Sequence, residues 1–296
     1  MNLYITPDEI KADIPDMIQD ATTRYNEPLC RRCVGVSRSI DRRCKRTFFP
    51  RLATKYFSVG RPRGAESALG ILWIPDLISV TAISLSYDNG STYEDLVEAD
   101  YILAVSEDFD KVCSYNMIIL DVNGNYSSFP IGQRSVKISG VWGYTDDREA
   151  SWEDSGLTID AEMDATGTTL SLADADAQDR YGLGVALQLG RLISIGSEFM
   201  LVTAVDATEN EVTVIRAANG TTGAVHASGA AISIWRPPFS ITEAARITVM
   251  RDFLRGQQGY ADARGGVDYG GEMRWTGRWD PEAIEKLRPF ILTAVG

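Results

Sequence analysis

The chain has 296 residues and a formal net charge of −12 at pH 7, from 41 acidic and 29 basic side chains. Its hydrophobic content of 44% is ordinary for a soluble globular protein, and its acidity argues against a general nucleic-acid binder, because the summed field repels phosphate. Met1–Asp8 lacks the basic start and apolar stretch of a signal peptide, and the most apolar region, Ala68–Leu85, is interrupted by Pro75. We therefore expect an intracellularly made protein that does not span a membrane.

The first fifty residues are predicted to be helical. The run Thr6-Pro7-Asp8-Glu9 is typical of a helix start with a capping box. A longer helix is predicted to follow Glu27-Pro28 and to end at Phe48-Phe49-Pro50, because a residue before proline is disfavoured in the α region. One stripe of this helix collects the small and apolar side chains expected to face a core. These are Leu29, Cys33, Val36, Ile40, Cys44 and Thr47.

The opposite side of the long helix is basic, which is unusual in so acidic a chain. This face indicates contact with DNA phosphates or with an acidic protein surface, or else a solvated face whose arginines pair with nearby carboxylates. We favour pairing between subunits over direct DNA binding. Cys30 and Cys33 have the spacing of a zinc or redox pair, but Cys33 and Cys44 lie in the apolar stripe, so we predict buried thiols. The basic residues assigned to the face are Arg31, Arg38, Arg42 and Lys45.

From Ala53 the pattern changes to short runs rich in β-branched and aromatic residues. Together with the turn signal Asp88-Asn89-Gly90-Ser91, these runs predict a mostly antiparallel sheet or small barrel. The runs are 53–57, 71–74, 80–87, 101–103, 117–120 and 135–144.

A second β-rich region follows a polar linker at 146–154. Five short strands are predicted in it, with Gly196-Ser197 as a hairpin turn, which suggests a small β-barrel or sandwich. The segment 151–236 holds 12 acids and 4 bases, so it carries a net −8 of the total charge. The acidity of the chain is therefore mainly a property of this region. The predicted strands are 168–172, 191–195, 199–205, 211–215 and 231–235.

The closing segment begins with a second capping-box sequence, Ser240-Ile-Thr-Glu243, which predicts a helix running to Gly256. Seven glycines then fall between Gly256 and Gly277, which predicts a flexible segment with aromatic contact points. A last short helix is predicted after Asp280. The aromatic residues assigned to partner contact are Tyr260, Tyr269, Trp275 and Trp279.

No sequence pattern predicts catalysis. The single histidine, His226, lies in a loop of small residues, and we predict a structural role for it. Glycine-rich phosphate-binding motifs are absent, and Asp174–Asp179 lacks the glycine and terminal glutamate of a calcium loop. We therefore predict a protein that is not an enzyme, with no catalytic residue, cofactor or metal.

Five short motifs occur in the order seen in the head–tail connector (adaptor, or head completion) proteins of tailed phages, which this chain resembles over about 140 residues. In that family a helical bundle precedes three motif-bearing strands and a closing helix follows at once, whereas here roughly ninety residues intervene. The motifs are Thr6–Ile10, Ser39–Cys44 with Phe48-Phe49, Ile74–Thr81, Ala99–Leu103 and Val136–Tyr144.

With this resemblance, the expected fold class is α+β. N-terminal helices and one C-terminal helix would form a bundle packed with a small antiparallel sheet, and an all-β barrel or sandwich would be inserted into it. The expected domains are a discontinuous connector domain, 1–146 plus 238–296, and an acidic insert, 151–236. The insert can lie outside a ring or face its channel, and the sequence leaves both open.

The resemblance also implies a function. Copies would form a ring, usually of twelve, between portal and tail in the virion neck, assembled in the host cytoplasm and extending the DNA exit channel. The partners would be the portal protein and a tail, tail-terminator or nozzle protein, with the capsid as a further candidate and DNA in transient, non-specific contact. The basic helix would lie at a subunit or portal joint, and Tyr260–Gly296 would order on the portal. The alternative is a virion-associated module whose insert recognises a carbohydrate or host surface.

Overall fold

The computed structural model describes residues 2–14, 25–60, 70–105, 112–182, 184–257, 263–264, 273–274 and 279–292. The chain forms two compact units. The first comprises Met1–Arg46, Trp152–Ala218 and Thr222–Gly296, and the second comprises Thr47–Ser151 and Asn219–Thr221. The predicted division, into a connector domain and an insert, assigns these segments differently. That predicted division stays a prediction.

The predicted fold class is wrong. The protein is mostly β, with two antiparallel sheets of six strands each and only four helices in the described residues, about 25% helical in all. It is therefore not a helical bundle packed with a small sheet. One reason is that the runs 71–74 and 80–87 join into a single long strand through Pro75. The strand tolerates this proline because its pairing is irregular between Trp73 and Leu77, where no ladder N–H is needed.

All four helices belong to the first unit. They are α1 (Pro7–Asp13), α2 (Asn26–Cys44), α3 (Phe239–Gln257) and α4 (Pro281–Leu287). The capping box of α1 is confirmed: Thr6 Oγ1 accepts from the Glu9 N–H at 3.1 Å, and Glu9 Oε2 accepts from the Thr6 N–H at 2.8 Å. Helix α3 begins at Phe239, one residue before the predicted capping serine.

The apolar stripe of α2 is confirmed except at its end. Leu29, Cys33, Ile40 and Cys44 are fully buried, and Val36 nearly so. The helix ends sooner than predicted, because Lys45 takes a left-handed conformation with φ of 54°. Thr47 consequently lies beyond the helix and is exposed.

We expect Cys33 and Cys44 to resist thiol reagents in the folded protein, since burial raises the pKa of Cys33 to about 12 and that of Cys44 to about 11. The thiolate is the reactive form, so at about pH 8 both should react only through unfolding. Mass spectrometry after iodoacetamide labelling, with and without urea, measures this, with the half-buried Cys113 as internal comparison. Native labelling of Cys33 as fast as that of Cys113 would contradict the expectation.

The second unit is built on one antiparallel sheet. Its strands are β1 (Arg51–Val59), β2 (Ile71–Leu85), β3 (Glu94–Asp95), β4 (Tyr101–Ala104), β5 (Tyr115–Leu120) and β6 (Gly132–Trp142). They are ordered β1-β6-β2-β5-β4, with β3 paired to β2. The core of this unit holds side chains from β2, β5 and β6, among them Leu77, Ile118 and Ile138, which are fully buried.

The first unit contains the other six-stranded sheet. Its strands are β7 (Trp152–Thr158), β8 (Thr169–Ser171), β9 (Leu192–Ile195), β10 (Glu198–Asp206), β11 (Glu211–Ile215) and β12 (Ala231–Trp235). They are ordered β7-β12-β9-β10-β11-β8, and a bridge between Ile159 and Leu172 joins the two end strands. The predicted hairpin turn is confirmed, since Ile195 pairs with Glu198 and Gly196 has φ of 59°. Strand β7 was not predicted, and its first three residues were assigned to the polar linker 146–154.

Two short strands, β13 (Ala263–Arg264) and β14 (Met273–Arg274), pair with each other near the C-terminus. The predicted contacts Tyr260, Tyr269 and Trp275 lie outside the described residues. No helix in the described part of the chain has the length and apolar character needed to cross a membrane.

Candidate functional site

The basic face of α2 is the candidate site, and its four predicted members differ in how they are held. Arg31 is highly exposed and pairs with Glu27 one turn earlier on the same helix. Exposed pairs at this spacing contribute about 0.3–0.5 kcal/mol, so Arg31 gains little from this partner.

Arg38 is tied into the first unit. Its guanidinium pairs with Asp41 at 2.8 Å, donates to the Asn2 carbonyl at 2.8 Å and lies over the Tyr4 ring at 5.9 Å. The Tyr4 hydroxyl also donates to Asp41. These contacts hold the N-terminal segment against α2, so we assign Arg38 a structural role as well as its predicted place on the basic face.

Arg42 and Lys45 are the exposed cations at the C-terminal end of the face. Arg42 Nε donates to the Arg38 carbonyl at 3.2 Å, which orients its side chain along the helix. Within the part of the chain that the structure describes, neither Arg42 nor Lys45 forms an ion pair with a carboxylate. Both charges are therefore available to a partner.

A groove of about 310 Å³ opens beside Arg42, between α2 and α3. Trp279, one of the predicted aromatic contacts, lies at this groove although it is far from α2 in sequence. Arg43 covers the Trp279 ring at 5.5 Å, which fixes the indole in place. The structure thus brings together two predicted contact residues, Arg42 and Trp279. The full lining is Arg32, Gly35, Val36, Ser39, Arg42, Thr248, Asp252 and Trp279.

The other polar residues of this groove are not among the predicted contacts. Arg32 donates to the Pro28 carbonyl at 3.1 Å and lies over the Phe253 ring at 5.6 Å, so its position depends on α3. Ser39 donates to the Gly35 carbonyl at 2.8 Å. Two arginines line the groove against one acid, Asp252, so its side chains carry a net positive charge. This lining suits an acidic side chain, because a guanidinium can bind a carboxylate and the indole can pack against its stem. Only the basic character of α2 was visible in the sequence.

Arg31 faces a different hollow, of about 470 Å³, which is chiefly apolar. Leu189, Val34 and the half-buried Cys30 contribute to its lining. Arg31 and Arg42 therefore belong to separate depressions on α2, and only Arg42 shares one with a predicted aromatic contact.

The only histidine belongs to a buried cluster in the first unit. The Glu198 carboxylate is fully buried and accepts two hydrogen bonds of 2.7 Å from Arg216, one of 2.9 Å from each of the Ala217 and Ala224 N–H groups, and one of 2.9 Å involving His226 Nε2. Burial acts to raise the pKa of Glu198, but these hydrogen bonds outweigh it and lower the pKa to about 2. The cluster is thus fully hydrogen-bonded, and its geometry is that of a structural support.

Most arginines of the acidic region 151–236 are already paired within the first unit. Arg191 pairs with Glu9 at 2.8 Å, Arg216 with Glu198 at 2.7 Å, and Arg236 with Glu153 at 2.7 Å. Apart from the exposed Arg180, and from Arg216, whose charge acts on Asp164, this region supplies no further cation to balance its surface acids. The exposed acids are Asp154, Asp160, Glu162, Asp164, Asp174, Asp176, Asp206, Glu209 and Glu211.

The first unit consequently presents charge of opposite sign on different elements. Exposed cations lie on α2 and at its C-terminal end, beside the Trp279 groove, whereas exposed acids lie on the strands of the β7–β12 sheet and on the loops between them. No protein-family model matches the chain, and no curated protein matches it in sequence.

Proposed function

We propose that the protein is a structural subunit of an oligomeric ring in the neck of a tailed-phage virion, between portal and tail, and that it is not an enzyme. The observation that carries the proposal is the pair of exposed cations, Arg42 and Lys45, beside the Trp279 groove of an otherwise acidic chain. The order of the sequence motifs supports the same function. The ring would extend the channel through which DNA leaves the head.

A closed ring requires a heterologous interface, in which one surface of a subunit meets a different surface of its neighbour. A cationic helix face on an acidic chain suits such a joint, because opposite charges steer the encounter and fix the register of the two surfaces. The same face suits docking on an acidic surface of the portal protein. Assembly is expected to weaken as salt increases, since exposed charges are screened beyond about 10 Å at 0.1 M salt.

The carbohydrate-binding alternative has less support. The tryptophans that could form a binding platform in region 151–236 are packed against other aromatic rings instead. Trp152 lies 5.0 Å from Phe199 and 5.3 Å from Trp235 by ring centroids, and Trp235 is buried. Their apolar area contributes to folding, so little of it is available to a sugar ring.

We expect the double substitution Arg42→Glu, Lys45→Glu to abolish or strongly impair ring formation, or docking on the portal protein from the same genome. Reversing two exposed charges puts repulsion where attraction is required, while the buried stripe of α2 is untouched. Native mass spectrometry and negative-stain imaging, with and without the portal protein, measure both outcomes. Arg180→Glu, at an exposed arginine of the β7–β12 region, is the matched control and should assemble normally. Wild-type assembly of the double variant in both assays would reject the role of this face.

A further inference from the structure

We infer that the Trp279 groove of one copy binds the acidic end of the β10–β11 hairpin of a second copy. This inference rests on the proposed function, because it names the surface that α2 meets in the ring. The occupant of the groove is therefore another copy of this chain. Charge complementarity between two surfaces of the first unit carries the argument.

The first surface is the groove itself. It holds the exposed Arg42 guanidinium and the Trp279 indole, and Lys45 follows at the end of the same helix. Among the residues that the structure describes, neither of these two cations forms a salt bridge, and Arg42 interacts with Asp41 only as a nearby charge. A surface of this kind binds most tightly to a partner whose carboxylates are already held in a fixed arrangement, because little conformational entropy is then lost on binding.

The second surface is the hairpin end, which is rigid and acidic. The Asp206 carboxylate accepts from the N–H groups of Thr208 and Glu209 at 2.9 and 3.2 Å, which closes the turn between the strands. The neighbouring loop is held to this turn, since Asn210 Oδ1 accepts from the Ala175 N–H at 3.1 Å and the Asn210 carbonyl accepts from the Leu172 N–H at 3.0 Å.

This arrangement gathers like charges at one end of the sheet. Asp174 and Asp176 on the loop and Glu209 and Glu211 on the hairpin are all exposed. The Asp174 pKa is raised, chiefly because its side chain shares a hydrogen bond with Asp176 and also through the nearby charge. The segments 149–179 and 192–215, which include this loop and the hairpin, contain no lysine or arginine. The four acids are Asp174, Asp176, Glu209 and Glu211.

The two surfaces belong to different elements, as a head-to-tail joint requires. If the groove of one copy binds the hairpin end of the next, the pair still offers one free hairpin, on the first copy, and one free groove, on the second. Such contacts repeat until the ring closes. The carboxylates of Glu209 and Glu211 are the expected partners of Arg42 and Lys45.

Charge-swap variants test this inference. Variant A carries Arg42→Glu and Lys45→Glu, and variant B carries Glu209→Lys and Glu211→Lys. Each alone should associate at least tenfold more weakly than wild type in sedimentation velocity at low salt, because like charges then face each other. An equimolar mixture of A and B should recover association, since each groove in A matches the hairpin of B and each groove in B matches the hairpin of A.

A control places the same charge change at the other end of the sheet. The pairing of Asp154 with Ser233 and of Ser233 with Ser194 puts Asp154 near the start of β10, about 25 Å from the hairpin turn. The variant Asp154→Lys should associate as wild type does, and the single change Glu211→Lys on the hairpin is its matched comparison. Circular dichroism checks the folding of every variant, and Glu209→Gln with Glu211→Gln provides a milder test if the lysine variant fails to fold.

The outcomes separate this inference from the proposed function. Loss of assembly in A with wild-type behaviour in B overturns the hairpin as occupant, while the role of α2 in a joint stands. Loss in both without recovery in the mixture also overturns the pairing of these two surfaces. A wild-type protein that stays monomeric, alone and with the portal protein, overturns the proposed function and this inference together.

Discussion

Glu198→Gln is expected to destabilise the first unit by about 3–5 kcal/mol, the cost usual for breaking a buried ion pair. The substitution puts an amide NH₂ among groups that all donate hydrogen bonds, and it leaves the Arg216 guanidinium, 8% exposed, without a counter-charge. Urea unfolding followed by tryptophan fluorescence measures the loss, because Trp152 and Trp235 belong to the same unit. Glu211→Gln, at an exposed position on the same sheet, is the control and should change stability by less than about 0.5 kcal/mol.

A double substitution distinguishes the contribution of the Glu198–Arg216 ion pair from that of its surroundings. Arg216 also donates to the carbonyls of Asp164 and Gly167 in one loop and of Ala224 in another, at 2.6–2.8 Å, so it holds these two loops against the end of β11. Glu198→Leu with Arg216→Met removes both charges, and we expect it to cost less than the sum of the two single changes. A Glu198→Gln protein within about 1 kcal/mol of wild type would show that the cluster contributes little.

The lowered pKa of Glu198 predicts that the folded protein loses stability in acid. The pKa of Glu198 falls from its ordinary 4.5 to about 2 in the folded protein, so the unfolded chain binds a proton more readily in this range. Its contribution to stability is therefore complete above pH 4.5 and is lost as the pH falls from there towards 2. We expect the unfolding free energy of wild type to decline between about pH 5 and pH 3 more steeply than that of Glu198→Gln.

Features fixed by a few neighbouring residues could be predicted from the sequence. The α1 capping box depends on Thr6 and Glu9 alone, the buried stripe of α2 on helical spacing, and the Gly196 turn on one positive φ. Strand β7 could not be recognised, because its buried side chain is the small polar Ser155 and its pairing partner β12 lies about eighty residues later. The prediction of the fold class was wrong for a related reason, because strand lengths and pairings are set by tertiary contacts.

The candidate site, too, could be predicted from the sequence only where local spacing determines it. Helical spacing placed Arg31, Arg38, Arg42 and Lys45 on one face, but the difference between a tied Arg38 and an available Arg42 depends on Asn2 and Tyr4. The groove needs Trp279 to lie beside α2, a contact between residues more than two hundred positions apart. Such contacts leave no local pattern in the sequence.

Gly140→Ala should destabilise the second unit by about 3 kcal/mol or more. Gly140 lies in β6, opposite Ala53 of β1 and Val80 of β2. A Cβ at this position would stand 2.3 Å from the Ser79 carbonyl oxygen and 3.1 Å from Val80 Cα. These are backbone atoms of an irregular stretch of β2, so no side-chain rotation relieves the clash and the strand itself must move.

This glycine belongs to the Val136–Tyr144 motif, and the close approach of β2 gives a physical reason for a glycine at this position. Chemical unfolding followed by the fluorescence of Trp142, two residues away in the same strand, measures the effect. Gly35→Ala is the matched control: Gly35 is helical, a Cβ there meets nothing within 4 Å, and the change should stabilise by about 0.5–1 kcal/mol. An unchanged unfolding midpoint for Gly140→Ala would mean that β2 can shift away from β6, and that the glycine is not required for the pairing of these strands.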